Sequence, residues 1–301
     1  MAQLPAPPAT LPTFQTAVER FLAQSRFAPR TRDSYGRDLA PLVSQLGAGP
    51  VTGLTPAAVA AFLAGLLHLA PATFNRRHAA VHSLIRWCTR QGWLDHDPLA
   101  TQERRPQPPG EPRALDPAQV EAVLRGIRDR RDRALFWLLY DGGLRCHEAL
   151  AIDIEEIDWG ERAIHIHGKG DRPREMFFSR QVARQLDAYL KERGVPTRGP
   201  LFVTHRRARN PRRADLTADG HARLSYRQAD TLWKGYTPGW DLHQLRHTAI
   251  SARAARGYTE VELKRFSGHR SLRSLERYIA DNREAAKRKA REWERRAWPD
   301  G

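Results

Sequence analysis

A proline-rich stretch divides the chain into two unequal parts. Residues 101–112, TQERRPQPPGEP, contain four prolines and one glycine. Proline fixes φ and has no backbone N–H, so neither a helix nor a central strand can continue through this stretch. A chain of 301 residues is long enough for about two domains. We therefore expect a linker at residues 101–113 between domains at 11–100 and 114–301, after a flexible Pro/Ala-rich tail at 1–10.

The first of these parts has helical periodicity throughout. Phe14, Val18 and Phe21 recur on one face, as in an amphipathic helix. Thr55-Pro56 is a typical helix start, with a capping residue followed by proline at the first helical position. We predict a four-helix domain with helices at about 14–25, 31–45, 57–69 and 74–91.

The second part is predicted to be mainly helical with one β-hairpin. Strands at 161–167 and 175–178 flank the turn Gly168-Lys169-Gly170-Asp171. Residues 205–220 are rich in Arg, Pro, Gly and Asn, which favours a loop. Helices are expected at 117–127, 132–140, 144 onward, 179–193, 225–233, 242–256, 259 onward and 283–298. The fold class is thus mostly α with a small antiparallel sheet.

The charge balance favours a polyanionic partner. Lys and Arg number 50 against 34 Asp and Glu, a net charge of +16, and such a field attracts nucleic acid. Solvated helix faces are the alternative explanation for individual arginines. The candidate DNA contacts are exposed helix positions and the arm after the hairpin turn: Arg30, Arg32, Arg76, Arg77, Arg172 and Arg174.

Several classes of site and location are disfavoured. Cys88 and Cys146 lie far apart, so we expect neither a disulfide framework nor a cysteine-rich zinc site. His165 and His167 share one strand face, but no neighbouring residue at ligand spacing completes a metal site. No cofactor is expected. The longest apolar run, residues 59–70, is too short to cross a bilayer, so we predict a cytoplasmic, nucleoid-associated protein without membrane contact.

A set of phosphate-binding side chains lies in the last third of the chain. His243 and Arg246 are three residues apart, which places both on one face of a helix. His269 follows a glycine, and Tyr278 lies nine residues further on. Taken alone, Tyr278 fits an ordinary core position beside Leu275. Taken together, imidazole, guanidinium and phenol groups suit the binding of a phosphodiester under attack by a hydroxyl.

Two more candidates lie upstream of this set. Arg145 follows a Gly-Gly break, and Glu148 three residues later is placed to pair with it. Lys169, one of six lysines, sits between glycines at the hairpin turn. A surface arginine and a solvated turn lysine are the plain alternatives.

In order and spacing these pieces resemble the tyrosine recombinases, also called phage-type integrases, including the Xer-like resolvases. The intervals fit that family: 24 residues from Arg145 to Lys169 and 26 from His243 to His269. One departure is Phe266-Ser267, where the family usually has two apolar residues before Gly-His. The likeness covers residues 112–280 strongly. The matching pieces are residues 139–150 (LYDGGLRCHEAL), the 168–170 turn with its basic arm, His243-x-x-Arg246-His247, Gly268-His269 and Tyr278.

The resemblance implies a core-binding helical domain followed by a catalytic domain, and a role for each side chain. Tyr278 would attack a DNA phosphodiester to form a 3′-phosphotyrosyl link, without metal or ATP. Arg145 and Arg246 would grip the non-bridging oxygens, and Lys169 would protonate the leaving 5′-oxygen. His243 and His269 would bind the phosphate or move a proton, in an order that the sequence leaves open, and Glu148 would orient the site.

The implied partner is double-stranded DNA carrying a specific recombination site. Self-association on DNA as a tetrameric synapse is expected, and a second recombinase subunit is an open alternative. Helix 283–298 would dock on a neighbouring protomer or on its own domain. Three alternatives for function remain at this stage: a recombinase-derived DNA-binding protein without strand exchange, a topoisomerase-like transesterase, and a zinc nuclease using His165 and His167.

Overall fold

The protein folds as two compact units, Met1–Gly110 and Glu111–Gly301. The division between them falls inside the proline-rich stretch. The computed structural model describes residues 11–107, 114–167, 174–207 and 215–269, together with residues 271, 275, 278, 287, 291 and 293–295. None of the helices described is long and apolar enough to cross a membrane.

Four α-helices lie in the described part of the first unit, residues 11–107, and local sequence signals start each one. Thr13 and Thr55 act as N-caps, their hydroxyls accepting from the N–H groups of Thr16 and Ala58 at 3.2 Å. Proline is the first residue of the three helices that begin at residues 29, 56 and 71, where its missing N–H has no helical acceptor to lose. The helices are α1 (Phe14–Leu22), α2 (Pro29–Leu46), α3 (Pro56–Ala64) and α4 (Pro71–Arg90).

An aromatic cluster fills the core of this unit. The ring of Phe21 is fully buried and packs against Phe27, Tyr35 and Trp87, with ring centroids 5.1, 5.5 and 5.8 Å away. Edge-to-face and tilted pairs of this kind add to the burial of apolar surface. The cluster joins α1, α2 and α4, so the amphipathic stripe predicted for α1 does face the core.

The second unit is built around α6, whose residues are apolar on nearly every side. Leu135, Leu138 and Leu139 are buried, as the sequence predicts, and α6 packs against α8, α10 and α5. A helix that is apolar all round belongs inside a helical layer. The helices of this unit are α5 (Pro117–Gly126), α6 (Arg130–Gly142), α7 (Cys146–Ala151), α8 (Arg180–Glu192), α9 (Tyr226–Tyr236), α10 (Leu242–Ala255) and α11 (Glu260–Ser267).

The predicted hairpin is present and gains a short third strand. Strands β1 (Ile157–Asp158), β2 (Ala163–Ile166) and β3 (Arg174–Phe177) form an antiparallel sheet in the order β1-β2-β3. Ile164 lies opposite Met176 on β3, and both side chains are buried in the core of the unit. The turn between β2 and β3, which contains Lys169, lies outside the described residues.

A second small sheet corrects one prediction. Strands β4 (Val203–Arg207) and β5 (His221–Arg223) pair antiparallel, so the loop predicted for 205–220 is wrong at residues 205–207. Residues 208–214 are outside the described part. No apolar alternation marks these strands. Side-chain bonds support them instead: Thr204 Oγ1 accepts from the Ala222 N–H at 3.2 Å, and the Thr204 carbonyl accepts from His221 Nδ1 at 2.7 Å.

The architecture confirms the predicted fold class, mostly helical with small antiparallel sheets. Most of the predicted C-terminal helix 283–298 lies outside the described residues. Those of its residues that are described, 287, 291 and 293–295, are helical.

Replacement of Phe21 tests the aromatic core of the first unit. Phe21→Ala should lower the free energy of unfolding by about 3–5 kcal/mol, because it removes buried apolar area and leaves a cavity between α1, α2 and α4. Leu67→Ala is the matched control, since that side chain is 57% exposed, and should change stability by less than about 0.5 kcal/mol. Urea unfolding measures both, and equal effects of the two variants would contradict this packing.

Candidate active site

Arg145 is fixed in place by Glu148. Helix α6 ends at Gly142 with Gly143 as its C-cap, and Arg145 is the N-cap of α7. The Glu148 carboxylate reaches back one turn and accepts from the Arg145 backbone N–H at 3.0 Å and from Arg145 Nη1 at 2.9 Å. One carboxylate therefore both completes the capping box of α7 and orients the Arg145 guanidinium group. The Arg145 side chain remains 32% exposed.

Arg174 joins the same carboxylate from β3. Its Nη2 donates to Glu148 Oε2 at 3.0 Å, and its Nη1 donates to the Phe266 carbonyl at 3.3 Å. The sequence predicted Arg174 as a DNA contact on the hairpin arm. The structure places its side chain, mostly buried, in the cluster around Glu148, a neighbourhood that spacing alone did not indicate.

The electrostatics of Glu148 follow from these contacts. Burial acts to raise the pKa of its carboxyl group. The hydrogen bond from the Arg145 N–H, the charge of Arg174 and the Arg145 guanidinium outweigh that effect and lower the pKa below its ordinary range. Glu148 is therefore an anion at neutral pH.

Arg246, on α10, is the most enclosed cation of the site at 7% exposure. Its Nη1 donates to the Gly143 carbonyl at 2.6 Å, and its Nη2 donates to the Ser267 carbonyl at 2.7 Å. Burial, followed by the charge of Arg145, lowers the pKa of Arg246 to about 10. The guanidinium remains charged at neutral pH and is hydrogen-bonded to carbonyl groups at the ends of two other helices.

Both of those helix ends are glycine turns for a steric reason. Gly143 and Gly268 have φ of +56° and +64°, in the left-handed region. A Cβ at Gly143 would lie 2.5 Å from Cε1 of Phe266, and a Cβ at Gly268 would lie 2.6 Å from Nε of Arg174. The backbone must approach these side chains closely for the site to assemble.

Ser267 fixes the tautomer of His269. The Ser267 hydroxyl donates to the Leu263 carbonyl at 2.6 Å and lies 2.6 Å from His269 Nδ1. A hydroxyl has one proton to donate, so His269 Nδ1 must carry the proton of the second bond. In neutral His269 the lone pair is then on Nε2, which lies 3.5 Å from Arg246 Nη2.

Tyr278 combines a core position with a polar contact. It is 9% exposed, and its ring belongs to a small apolar cluster of Ile250, Ala254, Leu263 and Leu275. Its hydroxyl is hydrogen-bonded to Nδ1 of His247, the residue after Arg246. The ring of His269 is also near, with centroids 6.4 Å apart. The core and functional interpretations of Tyr278 are thus compatible.

Of the residues predicted from the sequence, the structure brings one group together: Arg145, Glu148, Arg246, His269 and Tyr278. Arg174, predicted as a DNA contact, joins this group through Glu148, and the structure adds Ser267 and His247. Ser267 was visible in the sequence as a departure from the family pattern, whereas His247 had no signal beyond its position beside Arg246.

The other predicted residues differ in their exposure and contacts. His243 is exposed in the first turn of α10, where its backbone N–H donates to Asp241 Oδ1 at 3.1 Å. In the first unit Arg30 and Arg32 are exposed, and Arg76 pairs with buried Asp38 at 2.8 Å. Arg77 Nε is buried without a hydrogen-bond acceptor among the described residues. Lys169 and Arg172 lie outside the described part of the chain.

One cluster has the composition of a metal site but is already hydrogen-bonded. Asp129, Asp132 and His205 hold their ligand atoms within 4.8 Å of one another. Asp132 accepts from Arg131 and Tyr236, and Asp129 pairs with His205 at 2.8 Å. Asp132 and Gly142 are at opposite ends of α6, which separates the cluster from Arg145 by roughly 15–20 Å along the helix axis.

His165 and His167, the pair that raised the question of a metal, each face a carboxylate. His165 lies 3.7 Å from Glu175, and His167 lies 2.7 Å from Glu156. Carboxylates therefore do lie near both imidazoles, although at positions that sequence spacing did not reveal. The two imidazoles have separate partners and do not form a common site.

Glu148→Gln tests the ionic cluster through pH. A lowered pKa means that the ionised carboxylate stabilises the fold fully above the ordinary carboxyl pKa of about 4.3, and that this contribution is lost as pH falls through the lower folded value. We expect the variant to lose about 1.5–3 kcal/mol of unfolding free energy at pH 7 and much less at pH 3. Urea unfolding at both pH values measures the difference.

The matched control is Asp187→Asn, which removes an exposed i,i+4 partner of Lys191 and should change stability by less than about 0.5 kcal/mol at either pH. A Glu148→Gln effect of the same size at pH 7 and pH 3 would contradict the assigned cluster.

Relatives of known class match the chain over most of its length. The model of the phage integrase family matches residues 113–285. The tyrosine recombinase XerC of Chromohalobacter salexigens is 31% identical over 94% of this chain and 98% of its own length. The XerC protein of Myxococcus xanthus is 30% identical over 83% of this chain and 87% of its own.

Solved structures agree on the fold. The Tn1549 transposon integrase, in complex with transposon right end DNA, superposes with a TM-score of 0.71 at 15% identity, covering 93% of this chain and 99% of that one. The XerH recombinase bound to palindromic difH substrate gives 0.66 at 18% identity, covering 93% and 85%. Together with the sequence matches, they confirm the predicted resemblance: this chain belongs to the phage integrase family, the tyrosine recombinases.

Proposed function

We propose that this protein is a site-specific DNA recombinase that cuts and rejoins strands through a phosphotyrosyl intermediate on Tyr278. The observation that carries the proposal is the arrangement around Arg246. Its guanidinium is held beside the charge of Arg145, and the Tyr278 hydroxyl is hydrogen-bonded to His247, the next residue of α10. A phosphodiester bound here would contact the guanidinium groups of Arg145 and Arg246 and would lie beside the Tyr278 hydroxyl, the proposed nucleophile.

The charge of the cluster suits such a ligand. Arg145, Arg174 and Arg246 bring three positive charges, and Glu148 brings one negative charge. The excess of two cations matches a phosphodiester that gains negative charge as it is attacked. Planar guanidinium groups bind two phosphate oxygens at once, which a point charge cannot do. Burial is the main cause of the lowered pKa of Arg246, and repulsion by Arg145 adds to it; a bound anion would offset that repulsion.

The remaining groups have complementary tasks in this mechanism. His269 binds the phosphate in its protonated form, because its neutral tautomer would direct a lone pair towards the anion. Lys169 protonates the leaving 5′-oxygen, as the family resemblance implies, and exposed His243 binds an outer phosphate oxygen. The reaction needs neither metal nor ATP, since the bond energy is kept in the phosphotyrosyl link until the 5′-hydroxyl of a strand attacks it.

The proposed substrate is double-stranded DNA with a specific recombination site. Exposed Arg30 and Arg32 on α2 are candidate contacts to its backbone. The XerH structure contains a palindromic substrate, and the λ integrase structure contains a dimer bound to a core site. A DNA site with two-fold symmetry binds two protomers. Synapsis of two such sites would assemble four protomers, with the helix at 283–298 docked on a neighbour. A second recombinase subunit is an alternative, and the nucleoid in the cytoplasm is the expected location.

Covalent capture tests the nucleophile. Incubation with nicked genomic DNA fragments of the source organism should give a protein–DNA adduct, and sequencing of the attached strand identifies the site. Tyr278→Phe should bind the same DNA and form no adduct, because it lacks the attacking oxygen. An adduct that persists in this variant would remove Tyr278 from its role. If the wild-type protein relaxes supercoiled DNA without forming recombinant products, it is a topoisomerase-like transesterase. If it binds DNA without forming any adduct, it is a DNA-binding protein without strand exchange.

Conservative replacement tests the phosphate clamp. Arg246→Lys and Arg145→Lys keep a positive charge but lose the planar fork, so each should slow adduct formation by about 100- to 1,000-fold. The control Arg184→Lys, on the exposed face of α8 beside Gln181, should react at the wild-type rate. Single-turnover cleavage of the captured nicked duplex measures all three, and wild-type rates in either clamp variant would contradict the assignment.

A further inference from the structure

His247 has no role in the mechanism proposed so far, yet it contacts the Tyr278 hydroxyl, whose oxygen is the nucleophile. Its Nδ1 is hydrogen-bonded to the Tyr278 hydroxyl, and the two rings lie 5.6 Å apart at a 31° angle. The apolar cluster around the phenol ring holds it in this position. With the imidazole proton on Nε2, the lone pair on Nδ1 accepts the phenol hydrogen bond.

Attack by Tyr278 requires an acceptor for its proton. A phenol has an ordinary pKa of about 10, so most of it is protonated at neutral pH. His269 is poorly placed for this task, because its Nδ1 donates to Ser267 and its Nε2 faces Arg246. The side chain of His243 is exposed one helical turn before His247. His247, by contrast, already has its Nδ1 hydrogen-bonded to the phenol oxygen.

We propose that His247 is the general base of the cleavage step. As the Oη–phosphorus bond forms and the bond from phosphorus to the 5′-oxygen breaks, the phenol proton passes to His247 Nδ1. The 5′-oxygen leaves with a proton from the general acid. In the rejoining step the 5′-hydroxyl attacks phosphorus and gives its proton back to the conjugate base of the general acid. The bond from phosphorus to the Tyr278 oxygen breaks, and the His247 imidazolium returns the proton to Tyr278. This assignment rests on the proposed function and adds a catalytic residue to it.

His247→Asn separates basicity from positioning. The asparagine Oδ1 can occupy the place of Nδ1 and accept the same hydrogen bond, but it cannot take the proton. We expect this variant to bind DNA as the wild type does and to form the Tyr278 adduct about 100- to 10,000-fold more slowly, the usual range for a lost general base. A wild-type rate in His247→Asn would reduce His247 to a positioning residue and overturn the proposal.

His247→Ala provides the second readout. Its adduct formation should fall by a similar factor and should recover with increasing concentration of added imidazole, which can diffuse into the vacated space and accept the proton. Imidazole should leave the wild type unaffected. The matched control is His165→Ala, which removes an exposed imidazole on β2 and should keep the wild-type rate with or without imidazole. Failure of imidazole to accelerate His247→Ala would contradict base catalysis.

The outcomes distinguish this proposal from the function on which it rests. Absence of an adduct in the wild-type protein would refute the function itself. A wild-type adduct combined with full activity in His247→Asn would refute the base alone. Loss of DNA binding in both His247 variants would assign His247 to the fold, and would equally overturn its catalytic role.

Discussion

The site depends on the way in which the Arg246 guanidinium is held. Two carbonyl groups, from Gly143 at the end of α6 and Ser267 at the end of α11, accept hydrogen bonds from its Nη1 and Nη2. Each carbonyl belongs to a helix end where a glycine adopts a left-handed conformation. Because Arg145 follows one of these ends and His269 follows the other, the bonds that hold Arg246 also bring its neighbours together. Buried hydrogen bonds to a charged group are strong enough to set such a geometry.

The helices were predictable because their signals are local. Caps and prolines specify where helices begin, and apolar periodicity specifies which face is buried, so α1, α3, α6 and α8 begin within about two residues of the predicted starts, although α3 ends at Ala64 rather than at the predicted residue 69. The second sheet was not predictable. Its strand β5 is held by Arg223, which donates to the carbonyls of Leu150 and Ile152 about 3 Å away, more than 70 residues earlier in the chain. No pattern within β4 or β5 themselves encodes that support.

In the candidate site, too, local sequence signals were predictive, whereas contacts between distant residues were not. The types, order and intervals of the side chains made Arg145, Arg246 and Tyr278 candidates, because together they resemble the pattern of the tyrosine recombinases. The partners of these residues could not be read in the same way. Arg174 meets Glu148 across 26 residues, and His247 meets Tyr278 across 31. Such contacts follow from how α10, α11 and β3 pack, which is a tertiary property. The position of His247 directly after Arg246 is the one sequence signal for its place near the site.

The central claim is that Arg145, Arg246 and Tyr278 act on a single phosphorus atom. A crystal structure of the protein on its nicked DNA site, with vanadate in place of the scissile phosphate, tests this most directly. We expect vanadium bonded to the Tyr278 oxygen, with nitrogen atoms of both guanidinium groups about 3 Å from its equatorial oxygens. A vanadate bound to Tyr278 while either arginine points away from it would contradict the account.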